Sequence, residues 1–195
     1  MRVLDALLAM TLHSPQVHGF FNIPVDHLHA LQELARHFRR YNLDNAVVVS
    51  PDLGNAKEAA AFARLLGIGV AAGAKQRYAD DKVVISTVIG DVADRDVIVL
   101  DDEIAKGSTV FELLDRLRER NVRSVRVACT HGLFAANAVQ RLSAEKEIEE
   151  IVCTNTVPIP EQNRTEKLTI LSVAPALSEA MRRIHNGESV SALFD

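Results

Sequence analysis

Four short and nearly unbroken apolar runs, each followed by a longer stretch of helical period or by a loop, constrain this chain more than any other feature. They are Ala46 to Ser50 (AVVVS), Val97 to Asp101 (VIVLD), Ser124 to Cys129 (SVRVAC) and Ile148 to Thr154 (IEEIVCT). β-Branched residues favour extended backbone, and a strand apolar at successive positions has no face to turn to water, so it needs cover on both sides. The cover is written between the runs. Ala56 to Leu66 places Ala59, Phe62, Ala63 and Leu66 on one side of a helix that Gly67 can stop. Thr109 to Arg120 carries an inward stripe of Val110, Leu113, Leu114 and Leu117, and Ala135 to Leu142 reads as a third helix. The pattern predicts an α/β fold of three layers, a mostly parallel sheet with helices on both faces.

The flanks are less regular. Residues 11–26 hold two prolines and read as loop, leading into a helix from about His27 to Phe38. Residues 154–167 are again loop-like, and Pro175 to Asn186 reads as a last helix. There is no internal repeat or low-complexity tract. At 195 residues and 48% hydrophobic content the chain can bury a substantial core. A net charge of −4 and a pI near 6.0 give no global field toward nucleic acid or an anionic membrane, so any anion site has to be local. Cys129 and Cys153 each lie in an apolar run and read as reduced, structural thiols of a cytoplasmic protein. The apolar stretch near the amino end is broken by Asp5, which supports neither a signal peptide nor a membrane span.

Three segments carry chemistry. The run Val97 to Asp101 leads through Asp102 to Ala105-Lys106-Gly107-Ser108-Thr109 and a helix. Ligands of open α/β sheets sit beyond the carboxyl ends of strands. Gly107 allows close backbone approach, Ser108 and Thr109 offer hydroxyls, and a helix amino terminus offers unpaired N–H groups, a combination suited to a phosphate dianion. Asp101 and Asp102 only accept hydrogen bonds when ionised, which suits vicinal hydroxyls or a metal; an N-cap at Ser108 with two turn aspartates is the plainer alternative. The second segment, Ser50-Pro51-Asp52-Leu53-Gly54-Asn55, also joins a strand to a helix. Its N–H groups can form an anion-binding concavity and Asp52 can hold a divalent cation, against a plain turn with a cap. The third, Ala71 to Tyr78 (AAGAKQRY), puts Lys75 and Arg77 on one side of extended backbone, where they can clamp a phosphoryl group or simply face solvent. Among the histidines, His13 follows a short apolar run, but spacing does not select it over His18, His27 or His29.

Taken in order, these segments resemble the ribose-phosphate pyrophosphokinases, also called phosphoribosyl pyrophosphate (PRPP) synthetases, of the type I phosphoribosyltransferase fold. TLHSPQVHGFFNIPVDHL is similar to the cation-binding signature of that family, SPDLGN to its pyrophosphate loop, AAGAKQR to the base of its flexible loop and VIVLDDEIAKGST to its ribose-5-phosphate loop. LSEAMRRIHNGESVSALF is similar to its carboxyl-terminal helix and tail. The resemblance implies His13 and Asp52 as Mg²⁺ ligands, Lys75 and Arg77 as catalytic, and Asp52, Leu53, Gly54 and Asn55 as the pyrophosphate loop. It implies Arg77, Asp101, Asp102, Ala105, Lys106, Gly107, Ser108 and Thr109 as ribose 5-phosphate contacts. The implied reaction moves the β,γ-diphosphoryl group of ATP to the 1-hydroxyl of ribose 5-phosphate, in a homo-oligomer that is a dimer or hexamer. Residues 1–40 would be a remnant of an N-terminal domain and 41–195 the phosphoribosyltransferase-like domain. Where the family usually has Asp-Thr-Gly-Gly-Thr, this chain has Ala105 to Thr109; Thr11 and Asn55 replace a usual aspartate and glycine. A noncatalytic homologue that binds a phosphopentose or a synthetase partner, and a phosphoribosyltransferase, are the competing expectations.

Overall fold

The computed structural model describes residues 6–77 and 83–193. Its main sheet has seven strands: β3 (Ala46–Ser50), β4 (Gly69–Arg77), β5 (Val83–Ile89), β6 (Asp96–Ile104), β7 (Ser124–Gly132), β8 (Ile148–Thr154) and β9 (Leu168–Leu171). Their spatial order is β5-β4-β3-β6-β7-β8-β9, and every neighbouring pair is parallel except β4 with β5. A separate two-stranded parallel sheet pairs β1 (Leu7–Met10) with β2 (Val25–Leu28).

The apolar runs are buried on both faces, as their composition requires. Val47, Val49, Val97, Val99, Val125, Val127, Ile151 and Cys153 face one core, while Val48, Ile98, Leu100, Ala128 and Val152 face the other. The alternation is the two-residue period of a strand, with both phases apolar. Over the first face lie α3 (Ser108–Glu119) and α4 (Ala138–Ala144), contributing Val110, Leu113, Leu114, Leu117, Val139 and Leu142. Over the second lie α1 (Leu31–Phe38) and α2 (Ala56–Leu66), where Phe38 and Phe62 meet edge to face at 6.0 Å. The stop read at Gly67 is a left-handed cap at φ +71°, closed by Ile68 N–H donating to the Ala63 carbonyl at 3.0 Å. The last helix, α5, spans Ala174–His185.

Several boundaries differ from the sequence reading. The helix expected from His27 begins at Leu31, because Val25–Leu28 is taken by pairing with β1. The helix expected over Ala135 to Leu142 opens as a 3-10 turn at Ala135–Asn137 and becomes α only from Ala138, with Phe134, Ala136 and Asn137 at positive φ. Gly107, not Ser108, caps α3, at φ +73°. Lys75 and Arg77 lie within β4 itself, and β1, β2, β5 and β9 are strands that the sequence reading did not include, although β5 (VVISTVI) is rich in β-branched residues. No helix among the described residues is long and apolar enough to cross a membrane.

Candidate active site

From β3 the chain moves outward to β4 on one side and then returns to place β6 on the other, so the order of strands reverses between β3 and β6. In a parallel sheet the loops leaving the carboxyl ends of such a pair diverge to opposite faces and leave a crevice. Here the loops are residues 51–55 and the stretch from Asp101 to Thr109, with Lys75 at the neighbouring strand end. They line one cavity of about 1230 Å³ together with His13, His27 and His29 from the amino-terminal segment.

Asp52 and Lys75 meet at the heart of this crevice, with Lys75 Nζ donating to Asp52 Oδ2 at 2.6 Å. Asp52 Oδ1 also accepts the Asn55 N–H at 3.1 Å. Burial pushes the Asp52 carboxyl up, but the hydrogen bonds from Lys75, Asn55 and the Gly54 backbone prevail and hold it below the usual carboxylate range. β4 approaches this loop very closely: a Cβ at Gly73 would stand 2.5 Å from the Pro51 carbonyl oxygen, which only glycine permits. Asn55 Nδ2 reaches across to the Leu100 carbonyl at 3.3 Å, tying the loop after β3 to β6.

The end of β6 concentrates negative charge. Asp101 is pushed well above the usual carboxylate range, first by burial and then by Asp102 and, more distantly, Asp52. Asp102 in turn accepts from His13, whose Nδ1 lies 2.5 Å from Asp102 Oδ2 and whose ring is raised above the ordinary histidine value by that contact. The segment from Ala105 to Thr109 then turns at buried Gly107 into α3, with Ser108 exposed and Thr109 half-buried beside the cavity. A Cβ on Gly107 would come within 3.3 Å of the Phe111 ring, so the cradle is both left-handed and packed from behind.

The structure thus brings His13, Asp52, Gly54, Asn55, Lys75, Asp101, Asp102 and Ala105 to Thr109 to one cavity. Leu53 stands at its edge with 61% of its surface exposed. Arg77 ends β4, and its side chain lies outside the described residues. Sequence reasoning passed over Glu103, Lys57, Glu58 and Arg64, which also line the cavity, because charged residues on a loop or a helix face carry no distinguishing period. It used Thr11 only as a departure from a motif. Thr11 is in fact 2% exposed and sits at φ +44°, unusual for a β-branched residue.

Among the described residues no three His, Cys, Asp or Glu side chains converge as a preformed metal cage. The donor chemistry nevertheless suits a hard divalent cation. Asp52, Asp101 and Asp102 supply carboxyl oxygens to one cavity, the ligand type that such a cation takes.

Comparison with known proteins gives a consistent result. The family model described as phosphoribosyl synthetase-associated domain matches residues 74–195. A Streptomyces coelicolor protein named provisionally as a ribose-phosphate pyrophosphokinase is 77% identical over 189 residues, covering 97% of this chain and 60% of that protein. The ribose-phosphate pyrophosphokinase of Deinococcus radiodurans is 41% identical over 195 residues, covering 97% and 61%. The crystal structure of phosphoribosylpyrophosphate synthetase from Mycobacterium smegmatis superposes with a TM-score of 0.83 at 37% identity, covering 94% of this chain and 59% of that one. The chain therefore spans about 60% of the length of the relatives it matches.

Proposed function

The chain belongs to the phosphoribosyl synthetase family by its associated domain, and from that premise we propose that it is a ribose-phosphate pyrophosphokinase, a cytoplasmic enzyme making PRPP and AMP from ATP and ribose 5-phosphate. The observation that carries the reading is the meeting, at one strand-order reversal, of a glycine-capped anion cradle, a carboxylate pair and the Asp52–Lys75 pair.

Each part has a distinct task in this reading. The N–H groups opening α3 after Gly107, with the hydroxyls of Ser108 and Thr109, hold the 5-phosphate. Lys106 adds positive charge beside it, which strengthens ground-state binding without favouring the transition state. Asp101 and Asp102 accept hydrogen bonds from the ribose 2- and 3-hydroxyls and so fix the 1-hydroxyl toward the loop of residues 51–55. The diphosphoryl oxygens enter at the loop of residues 51–55, where the Gly54 and Asn55 N–H groups, which donate to Asp52 in the structure, would have to turn from that carboxylate to the ligand. Lys75, with Arg77 two residues on, neutralises charge as the bond to the α-phosphate oxygen breaks. Mg²⁺, held by Asp52 and His13, would neutralise the polyphosphate and orient its oxygens. The short apolar segment with Val17 at 40%, Phe20 at 87% and Phe21 at 42% exposure supports assembly as a homo-oligomer, a dimer or hexamer.

The test is a direct one: ATP, ribose 5-phosphate and Mg²⁺ are supplied to the purified protein and AMP and PRPP are followed together. Equal release of both is expected. ATP-independent consumption of PRPP with a base acceptor would instead mark a phosphoribosyltransferase. Ala105 and Lys106, replacing the usual acidic start of the cradle, favour one second reading, a noncatalytic subunit that binds the phosphopentose. Calorimetric binding of ribose 5-phosphate with no AMP at any protein concentration would select it.

A further inference from the structure

Before reaching Asp102, the segment that carries His13 passes through a left-handed kink at Thr11, and that kink is held from outside its own strand. β1 ends with Thr11 N–H donating to the Leu28 carbonyl at 2.7 Å. The chain then reverses at φ +44°, and the next amide, Leu12 N–H, donates to His27 Nε2 at 2.7 Å. Thr11 Oγ1 accepts the Ala30 N–H at 3.2 Å. The Thr11 carbonyl meets the end of β7, where His131 Nε2 donates to it at 2.7 Å.

A carbonyl oxygen only accepts, so His131 Nε2 carries a proton. The other nitrogen, Nδ1, lies 2.8 Å from Thr156 Oγ1 just beyond β8. Thr156 has one hydroxyl proton and two acceptors in reach, His131 Nδ1 and the Thr130 carbonyl at 3.1 Å, and it stands beside Thr154, whose hydroxyl donates to the same carbonyl at 2.8 Å. The ring therefore has a polar partner at each nitrogen. Thr130 and Thr154 are buried, which gives the arrangement a rigid base.

We propose that His131 is a positioning residue for the active site: through the Thr11 carbonyl it holds the kink that delivers His13 to Asp102, with Thr156 setting the orientation of its ring. This rests on the reading of His13 as a site residue given above. His131 touches no substrate in this scheme. Its effect on cation binding passes wholly through the backbone of residues 11–13.

Four variants of the full chain separate this role from simple packing. In Gln the amide nitrogen can occupy the place of Nε2, so His131→Gln keeps the donor to Thr11. His131→Asn keeps only the partner of Thr156, His131→Ala removes both, and Thr156→Val frees the ring. The first readout is amide hydrogen exchange at Leu12 and His13, which needs no ligand. The second is Mn²⁺ affinity, followed by electron paramagnetic resonance. His131→Ala and His131→Asn are expected to speed exchange at these two amides and to weaken Mn²⁺ binding by about tenfold, with Thr156→Val moving both in the same direction and His131→Gln restoring both. Unchanged exchange in His131→Ala, or His131→Gln behaving as His131→Ala, overturns the proposal. So does faster exchange with Mn²⁺ affinity unaltered. If His131→Ala does not fold, His131→Asn and Thr156→Val decide by the same criteria. Failure of the unsubstituted protein to bind Mn²⁺ would remove the cation reading itself, while exchange at Leu12 would still decide whether His131 holds the kink.

Discussion

Lys75 answers two demands with one ammonium group. It holds Asp52 at 2.6 Å in the structure, and in the proposed reaction it faces the transferred diphosphoryl group. Lys75→Ala is therefore expected to lower turnover by at least about 10²-fold, the scale of losing one preorganised charge in a phosphoryl or acyl transfer site. Ribose 5-phosphate affinity should stay close to that of the unsubstituted protein, since the cradle at Gly107 lies on a different strand end. Steady-state kinetics beside calorimetry would check the split, and a parallel loss of ribose 5-phosphate binding would contradict it. At this scale the sequence displayed the right residue types and little of their pairing. Asp52 and Lys75 are 23 positions apart and His13 and Asp102 are 89 apart, so the first contact exists only once β3 and β4 are adjacent and the second only once the segment after β1 reaches the end of β6. The two local readings of each loop, cap or anion site, could not be separated without that adjacency.

Elements were legible where burial wrote a strong pattern. β3 and β8 and helix α2 coincide with their expected bounds because β3 and the run from Ile151 to Cys153 in β8 are apolar on both faces and the helix has one apolar stripe. β1, β2 and β9 were missed because each has four residues, too few to show a period, and because they form only by pairing with a neighbour. Gly73 shows how tightly two elements can be coupled at the site. Replacing it by Ala would drive a Cβ to 2.5 Å from the Pro51 oxygen, so β4 and the loop of residues 51–55 cannot both stay in place. Gly73→Ala is expected to cost about 1–3 kcal/mol in denaturant unfolding, and to weaken ATP binding more than ribose 5-phosphate binding. Equal weakening of both ligands would show that the disturbance spreads beyond this loop.

Across the whole molecule, the carboxyl ends of the strands hold the candidate site, and a polar fastening lies elsewhere on the sheet. Glu150 of β8 meets His37 Nε2 at 3.0 Å and accepts from Tyr41 at 2.9 Å and from Thr169 at 2.6 Å, joining α1, β8 and β9. Burial pushes this carboxyl up, but the hydrogen bonds from Thr169, His37 and Tyr41 hold it below its usual range. Asp96, bonded by Arg123 and Ser124, is lowered in the same way despite its burial. A folded-state value below the unfolded one means that the stabilisation is fully present above the unfolded value and is lost as pH falls through the folded value. The urea midpoint should therefore drop as pH falls below about 4.5, the ordinary value for Glu. Glu150→Leu should flatten that drop and cost about 1–3 kcal/mol at neutral pH, because it leaves polar partners without their acceptor. Ligand affinities should not change. A matching loss of ribose 5-phosphate binding would mean that the fastening and the candidate site are not independent.

The two thiols add a practical property to this architecture. Cys129 and Cys153 are the only cysteines in the sequence, both are free and fully buried, and burial raises both above the ordinary thiol range. They stand on the adjacent strands β7 and β8, inside the same core. A membrane-permeable alkylating reagent can therefore reach them only when that core opens, and each molecule that opens is permanently marked. The chain carries a built-in recorder of its own unfolding, able to count opened molecules inside a living cell without any engineered residue.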